Sequence, residues 1–303
     1  MREIVRVEHL SKAYGPVRAV DGVDLQIHQG EIFGMVGPNG AGKTTTIECI
    51  EGLRRQDQGL VRVLDLDPQS QRAELYERIG MQLQSSSLDP HIRVAEALDL
   101  FSSFYHHALP WEELLDLLGL EDKKNTAFSR LSGGQKQRLL ICLALINDPE
   151  VVFLDELTTG LDPQARRATW DLVSGIRERG KTVFLTTHFM EEAENLCDRI
   201  AVIDRGKIIA LGTPRELVEQ YANETRIELP RRSDNIVERL QGMTGVLRME
   251  TIGDGVVVAC SRKATGEILR ILTSENISLE QMQIRQPNLE DVFLALTGKE
   301  MRD

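Results

Sequence analysis

The 303-residue chain carries 47 acidic against 36 basic side chains, a formal net charge of −11, which argues against nucleic acid or anionic lipid as the main partner, because phosphate surfaces select basic faces. No run approaches 18 uninterrupted apolar residues, so no membrane-spanning helix is expected, and the first ten residues (MREIVRVEHL) lack the charged-then-apolar layout of a signal peptide. The length suffices for a large core and a smaller second domain, and four scattered cysteines, Cys49, Cys142, Cys197 and Cys260, without a C-x-x-C pair, read as reduced core thiols.

In chain order, residues 4–7 and 20–27 alternate apolar and polar side chains, as antiparallel strands do. Residues 31–36 form a short apolar strand running straight into Gly37–Thr45 (GPNGAGKTT), and residues 44–53 read as a helix. This is the strand–loop–helix setting of a phosphate-binding loop. Gly37, Gly40 and Gly42 let the backbone wrap phosphates, with Pro38, Asn39, Ala41 and Thr45 completing the loop. Lys43 places a point charge on the β and γ phosphates of a nucleotide, and the Thr44 hydroxyl is a ligand for Mg2+. Residues 85–120 read as helical, with periodic apolar patches at 94–98 and 114–118. A second glycine turn, Leu131-Ser132-Gly133-Gly134-Gln135, opens a helix over 135–146 and offers another set of free N–H groups to phosphate. Residues 151–154 are an apolar strand delivering Asp155 and Glu156, a metal-holding and a base carboxylate. A helix at 166–179, a strand at 182–186 and a helix at 190–196 follow. Alternating strands and helices imply a mainly parallel sheet with helices on both faces.

After residue 221 the texture changes. Residues 222–224 read as a linker between a domain at 1–221 and one at 225–303. A strand (226–229), a helix (234–240), two strands meeting at 253–255, a helix (263–272), a strand (279–284) and a helix (289–296) give the order βαββαβ, a small α+β domain of ferredoxin-like type.

One chain does not need two phosphate grips on one nucleotide; two copies facing head to tail do, each lending its turn to the other's ATP. With these motifs in this order, residues 1–220 resemble the ATP-binding cassette of ABC transporters. The resemblance implies an α/β P-loop NTPase fold with a mainly parallel core sheet, an antiparallel β subdomain and a helical subdomain. It implies ATP and Mg2+ as the bound groups, with Asp155 and Thr44 on the metal and Glu156 polarising the attacking water. Gln84 matches the glutamine that senses Mg2+ and the γ-phosphate, with Gln82 a rival on the same strand face. A lone histidine is more often structural, but His188, after Leu185-Thr186-Thr187 and before Met190-Glu191-Glu192-Ala193, matches the switch histidine at the γ-phosphate. Tyr14 matches the aromatic that stacks on adenine, or is a packed core tyrosine. Ser132, Gly133, Gly134 and Gln135 match the signature turn that meets the opposite protomer's nucleotide. Asp162 matches the loop that crosses between protomers and also fits a helix N-cap before Pro163. In one respect the chain departs from the family: the residue after Glu156 is usually proline, which holds the preceding backbone extended, and here it is Leu157.

The segment 288–298 (NLEDVFLALTG) resembles the ending of exporter ATPases of the daunorubicin-resistance type, which implies drug, lipid or polysaccharide efflux. The expected protein is thus the ATPase subunit of an exporter, a homodimer on the cytoplasmic face of the cell membrane, held there by a separate transmembrane permease. Two rivals stand beside this. A soluble family member that remodels ribosomes or DNA would carry two cassettes or a long coiled coil, and this chain has neither. A regulatory ATPase with weak hydrolysis would separate in a steady-state assay.

Overall fold

The computed structural model describes residues 2–82, 88–222, 224–230, 239–252, 255–274 and 282–298. The chain divides into two compact units that part at Pro214. The division therefore falls at the first residue of the helix Pro214–Tyr221, where the sequence reading places it behind that helix, and residue 224 already belongs to a strand rather than a linker.

The first unit holds two sheets. β1 (Glu3–Tyr14), β2 (Val17–His28) and β4 (Gln58–Val63) form an antiparallel sheet in the order β2-β1-β4. Their alternation buries Val5, Val7, Val23, Leu25, Ile27 and Val61 on one face. The second sheet has the order β5-β6-β7-β3-β8-β9, with β3 (Ile32–Val36), β5 (Ile79–Gln82), β6 (Val151–Asp155), β7 (Thr182–Thr187), β8 (Arg199–Asp204) and β9 (Lys207–Gly212). Its pairings are parallel except the last, β8 with β9. β3, β6 and β7 are buried along their whole length, as strands covered on both faces must be. α1 (Lys43–Ile50) contributes Ile47, Cys49 and Ile50 to one apolar cluster with residues of both sheets.

Register fixes the geometry of the site. Phe33, Phe184 and Phe153 are paired across β3, β7 and β6. Their rings meet edge to face at 5.7 and 6.0 Å, an arrangement favoured by the ring quadrupoles. Each buried phenylalanine contributes roughly 1.5–3 kcal/mol through the area it removes from water. With that row locked, Val36 lies opposite Thr187 and Asp155 opposite Thr186. Three strands consequently end at one edge of the sheet, the edge where ligands of parallel α/β sheets bind.

The span expected to be helical from 85 to 120 is divided, with 85–87 outside the described residues. α3 (Val94–Ser102) and α4 (Trp111–Leu117) are separate helices. Pro110 pushes residue 109 out of helical geometry, and Gly119, with φ 59°, follows the end of α4. α5 (Gly133–Leu145) begins two residues earlier than expected because Ser132 caps it. It packs so tightly on β5 that a Cβ on Gly80 would lie 1.8 Å from the Ala144 carbonyl oxygen; only glycine fits there. α1 ends at Ile50 rather than 53, because Gly52 turns the chain with φ 77°. The remaining helices of this unit are α2 (Arg72–Tyr76), α6 (Pro163–Glu178) and α7 (Met190–Leu196).

The second unit opens with α8 (Pro214–Tyr221). It carries a four-stranded antiparallel sheet in the order β11-β12-β10-β13: β10 (Glu224–Pro230), β11 (Val246–Ile252), β12 (Gly255–Ser261) and β13 (Gln283–Arg285). Taken in chain order the strands lie 2-3-1-4, the split βαβ order of a ferredoxin-like sheet. α9 (Arg262–Ser274) places Ala264, Ile268 and Leu272, four residues apart, into one cluster with Ile227, Val258 and Cys260. α10 (Leu289–Thr297) buries Leu289, Val292 and Phe293 and is capped by Asn288, whose side chain accepts from the Asp291 N–H. The helix expected at 234–240 and the turn at 253–254 lie largely outside the described residues, as does the first half of the strand expected at 279–284, whose last two residues fall in β13.

Candidate active site

The phosphate loop that follows β3 has no room for a side chain at Gly37 or Gly42. A Cβ on Gly37 would meet the Ile203 carbonyl oxygen at 2.2 Å, and Gly42, at φ 108°, lies as close to the Ala19 carbonyl. Lys43 is 4% exposed. Its Nζ donates to the Gly37 and Pro38 carbonyls at 2.8 and 3.2 Å, so the ammonium lies inside the curl of the loop. Burial lowers its pKa from the usual lysine value, and the carboxylates of Glu156 and Asp155 oppose that shift.

Asp155, the last residue of β6, is buried and accepts hydrogen bonds from the hydroxyls of Thr186 and Thr44. Burial raises its pKa, and those two hydroxyls pull it back. Thr44 and Asp155 thus converge as oxygen donors. No cluster of three or more His, Cys, Asp or Glu ligands forms among the described residues. Such a sparse oxygen set fits Mg2+, which is held by one or two protein oxygens plus substrate phosphates and water.

Glu156 turns away from β6 in a left-handed conformation, φ 50°. That costs a non-glycine residue roughly 1–2 kcal/mol and is the opposite of the extended backbone a following proline imposes. Its N–H is shared between the Thr186 carbonyl and hydroxyl at 3.1 and 3.2 Å, which holds the turn. Leu157 is buried beneath it. The Glu156 carboxylate lies 3.7 Å from Lys43 Nζ and 3.7 Å from His188 Nδ1. His188 follows β7 and its ring lies against Phe189, centroids 4.0 Å apart, while the Arg166 guanidinium covers Phe189 at 4.1 Å.

The structure thus brings together Lys43, Thr44, Asp155, Glu156 and His188. Gln84 lies outside the described residues. Its rival Gln82 is buried at the end of β5, in register with Leu154. Thr186, which sequence reasoning leaves unassigned, connects Asp155 to the Glu156 turn; its role depends on pairing between strands 31 residues apart and has no local signal.

Ser132 and Gln135 form a capping box: the Gln135 N–H donates to Ser132 Oγ at 3.3 Å, and the Ser132 N–H to Gln135 Oε1 at 2.9 Å. Gln135 therefore supports the turn, and Ser132 and Gly133 stand exposed at the helix start. Asp162 caps α6 by accepting from the Ala165 N–H at 2.8 Å. A cleft lies between the two caps, lined by Ser132, Gly133, Gly134, Gly160, Leu161 and Asp162 among others. Its described lining includes neither the phosphate loop nor Glu156 nor His188. Tyr14, the last residue of β1, is 41% exposed rather than packed in the core.

The family model described as ABC transporter matches residues 20–159. The chain is 37% identical to the Nod factor export ATP-binding protein I of Ralstonia nicotianae, over 99% of this chain and 95% of that relative. The chain belongs to the ABC transporter family. The protein of the same name from Sinorhizobium fredii is 40% identical over 99% of this chain and 87% of its own. Among solved structures, an ABC transporter cassette in its ADP conformation aligns at 27% identity and a TM-score of 0.65, covering 80% of this chain and all of that one. A dimeric cassette in a post-hydrolysis state, bound to ADP and Pi, aligns at 29% identity and a TM-score of 0.61, covering 69% of this chain and 98% of that one. The chain is an ABC ATPase subunit that binds and hydrolyses ATP, and the residues matched by the family model, 20–159, lie in its first unit. No helix among its described residues is long and apolar enough to cross a membrane.

Proposed function

We propose that this ABC ATPase works as a head-to-tail homodimer on the cytoplasmic face of the cell membrane and drives export through a separate transmembrane permease. The observation that carries this reading is the separation of its two phosphate grips. Lys43, Glu156 and His188 gather at one sheet edge, and Ser132 and Gly133 are presented beside Asp162 on a cleft lined by other residues. A second copy, turned head to tail, supplies the missing half to each site. The dimeric state of a solved neighbour supports that arrangement. The relatives' names, which specify Nod factor export, support the outward direction. Cargo is chosen by the permease, so the drug, lipid or polysaccharide class stays with the resemblance of residues 288–298.

In this reading the backbone of 37–45 wraps the ATP phosphates and Tyr14 stacks on the adenine. The Lys43 ammonium leaves the loop carbonyls for the β and γ phosphates. Thr44 and Asp155 would hold Mg2+, and the family resemblance assigns Gln84 to sensing that ion. When bound, the ion neutralises phosphate charge and orients the γ-phosphoryl group. Glu156 takes the proton of the attacking water, and His188 and the partner's Ser132 contact the γ-phosphate. ATP favours the closed dimer and hydrolysis reopens it; that difference in stability moves the permease.

Co-purification tests the reading. Tagged Glu156→Gln protein, loaded with ATP and Mg2+ and extracted from native membranes in mild detergent, is expected to bring a polytopic membrane protein at matching stoichiometry. Recovery of a soluble complex without any membrane protein would contradict it.

A further inference from the structure

Tyr14 ends a strand and stands half exposed, so something other than core packing must hold its ring. Three hydrogen bonds with Asp57, in the loop after α1, fasten the strand end. The Asp57 carboxylate accepts from Lys12 Nζ at 2.7 Å and from the Ala13 N–H at 2.8 Å, and the Asp57 N–H donates to the Ser11 carbonyl at 2.9 Å. The ring itself meets Arg54, whose guanidinium carbon lies 5.3 Å from the ring centroid, inside cation–π range. Lys12 Nζ lies farther, at 5.8 Å. Arg54 is itself tied at both ends. Its Nε donates to Glu48 Oε2 at 2.6 Å and its backbone N–H to the Glu48 carbonyl at 3.0 Å. Glu48 belongs to α1, the helix that begins with Lys43. A continuous set of contacts therefore runs from the helix carrying the phosphate-loop lysine, through Glu48 and Arg54, to the Tyr14 ring. As a partly exposed ion pair, Glu48–Arg54 adds little to stability. What it does is geometric: it ties the ring's orientation to the helix that positions the phosphates.

We propose that Arg54 is a positioning residue for nucleotide binding, holding the Tyr14 ring in register with the phosphate loop so that base and triphosphate are gripped together. The proposal rests on the reading of Tyr14 as the base-stacking residue. Arg54 acts through Tyr14 and does not touch the nucleotide.

Equilibrium titration of the purified full chain with Mg-ATP and with Mg-tripolyphosphate, which has no base, separates the possibilities. Arg54→Met is expected to weaken ATP binding about two- to five-fold, the scale of a partly exposed cation–π contact, and to leave tripolyphosphate affinity unchanged. The loss should disappear when Arg54→Met is made in a Tyr14→Ala background, because the ring it orients is gone. Glu48→Gln, which keeps the Arg54 charge and frees its anchor, is expected to act in the same direction, and it serves if Arg54→Met does not fold. If Tyr14→Ala weakens ATP binding while neither Arg54→Met nor Glu48→Gln does, the positioning role is overturned and the Tyr14 reading stands. If Tyr14→Ala leaves ATP affinity intact, both fall. Equal loss for ATP and tripolyphosphate, or a loss that persists without Tyr14, would also overturn the proposal, since Arg54 would then act through α1 or through charge.

Discussion

Glu156 concentrates the chemistry proposed for the site: a left-handed backbone, an N–H bound twice by Thr186, and a carboxylate midway between Lys43 and His188. Leucine at 157 permits this conformation, where proline would bias it toward extended. Glu156→Gln keeps the shape and removes the base, and a steady-state ATPase assay should show turnover reduced by roughly 10²–10⁴-fold; near-normal turnover would remove Glu156 from the base role. A second acid, Glu51 at the end of α1, is 1% exposed, and neither carboxyl oxygen has a hydrogen-bond partner among the described residues. Burial, with Asp155 and Glu48 nearby, pushes its pKa well above the ordinary 4.5. The native state then holds a proton that the unfolded chain releases, so stability falls by up to about 1.4 kcal/mol per pH unit above the ordinary carboxyl range, until the folded value is passed. Glu51→Gln removes that slope. Urea midpoints for variant and parent should nearly coincide near pH 4.5 and separate toward pH 8, with the variant more stable; parallel profiles would show that Glu51 is not held protonated. Local chemistry made Lys43, Asp155 and the glycine loop legible in the sequence, because their signals lie within a few residues. The bond of Thr186 to Asp155 and the contact of Arg54 with the Tyr14 ring were not legible, since each joins residues distant in the chain.

At the scale of elements, strands and helices with a clear period were legible, and their ends were decided by caps and turns. Ser132 and Asp162 start α5 and α6 ahead of the apolar pattern, Gly52 stops α1, and Pro110 divides what looks like one helical span. The sequence reading leaves 197–213 unassigned, and here the structure places β8 and β9. The apolar run Ile200–Ile203 is too short to declare itself, and its strand exists because β3 is there to pair with it. The contact of α5 with β5 was hidden too, since nothing near Gly80 announces a helix carbonyl over it. Gly80→Ala should cost about 1–3 kcal/mol or more, the range for overpacking, because the nearest atom is rigid backbone rather than a flexible side-chain end. Denaturant titration measures this, and a variant as stable as the parent would mean that α5 can move away freely.

At the scale of the whole molecule, the order of motifs made the cassette legible, and the βαββαβ order made the second unit's sheet legible. The boundary between the units was not, because α8 carries a helical pattern that suits either side. In the proposed cycle one chain holds two half-sites, and ATP completes them between copies. The most direct measurement is the mass of the purified Glu156→Gln protein by light scattering, with and without ATP and Mg2+. The mass should double on adding ATP and Mg2+, and that doubling should be lost when Gly134→Asp places a carboxylate on the signature turn. A protein that binds ATP and keeps the mass of a single chain would contradict it.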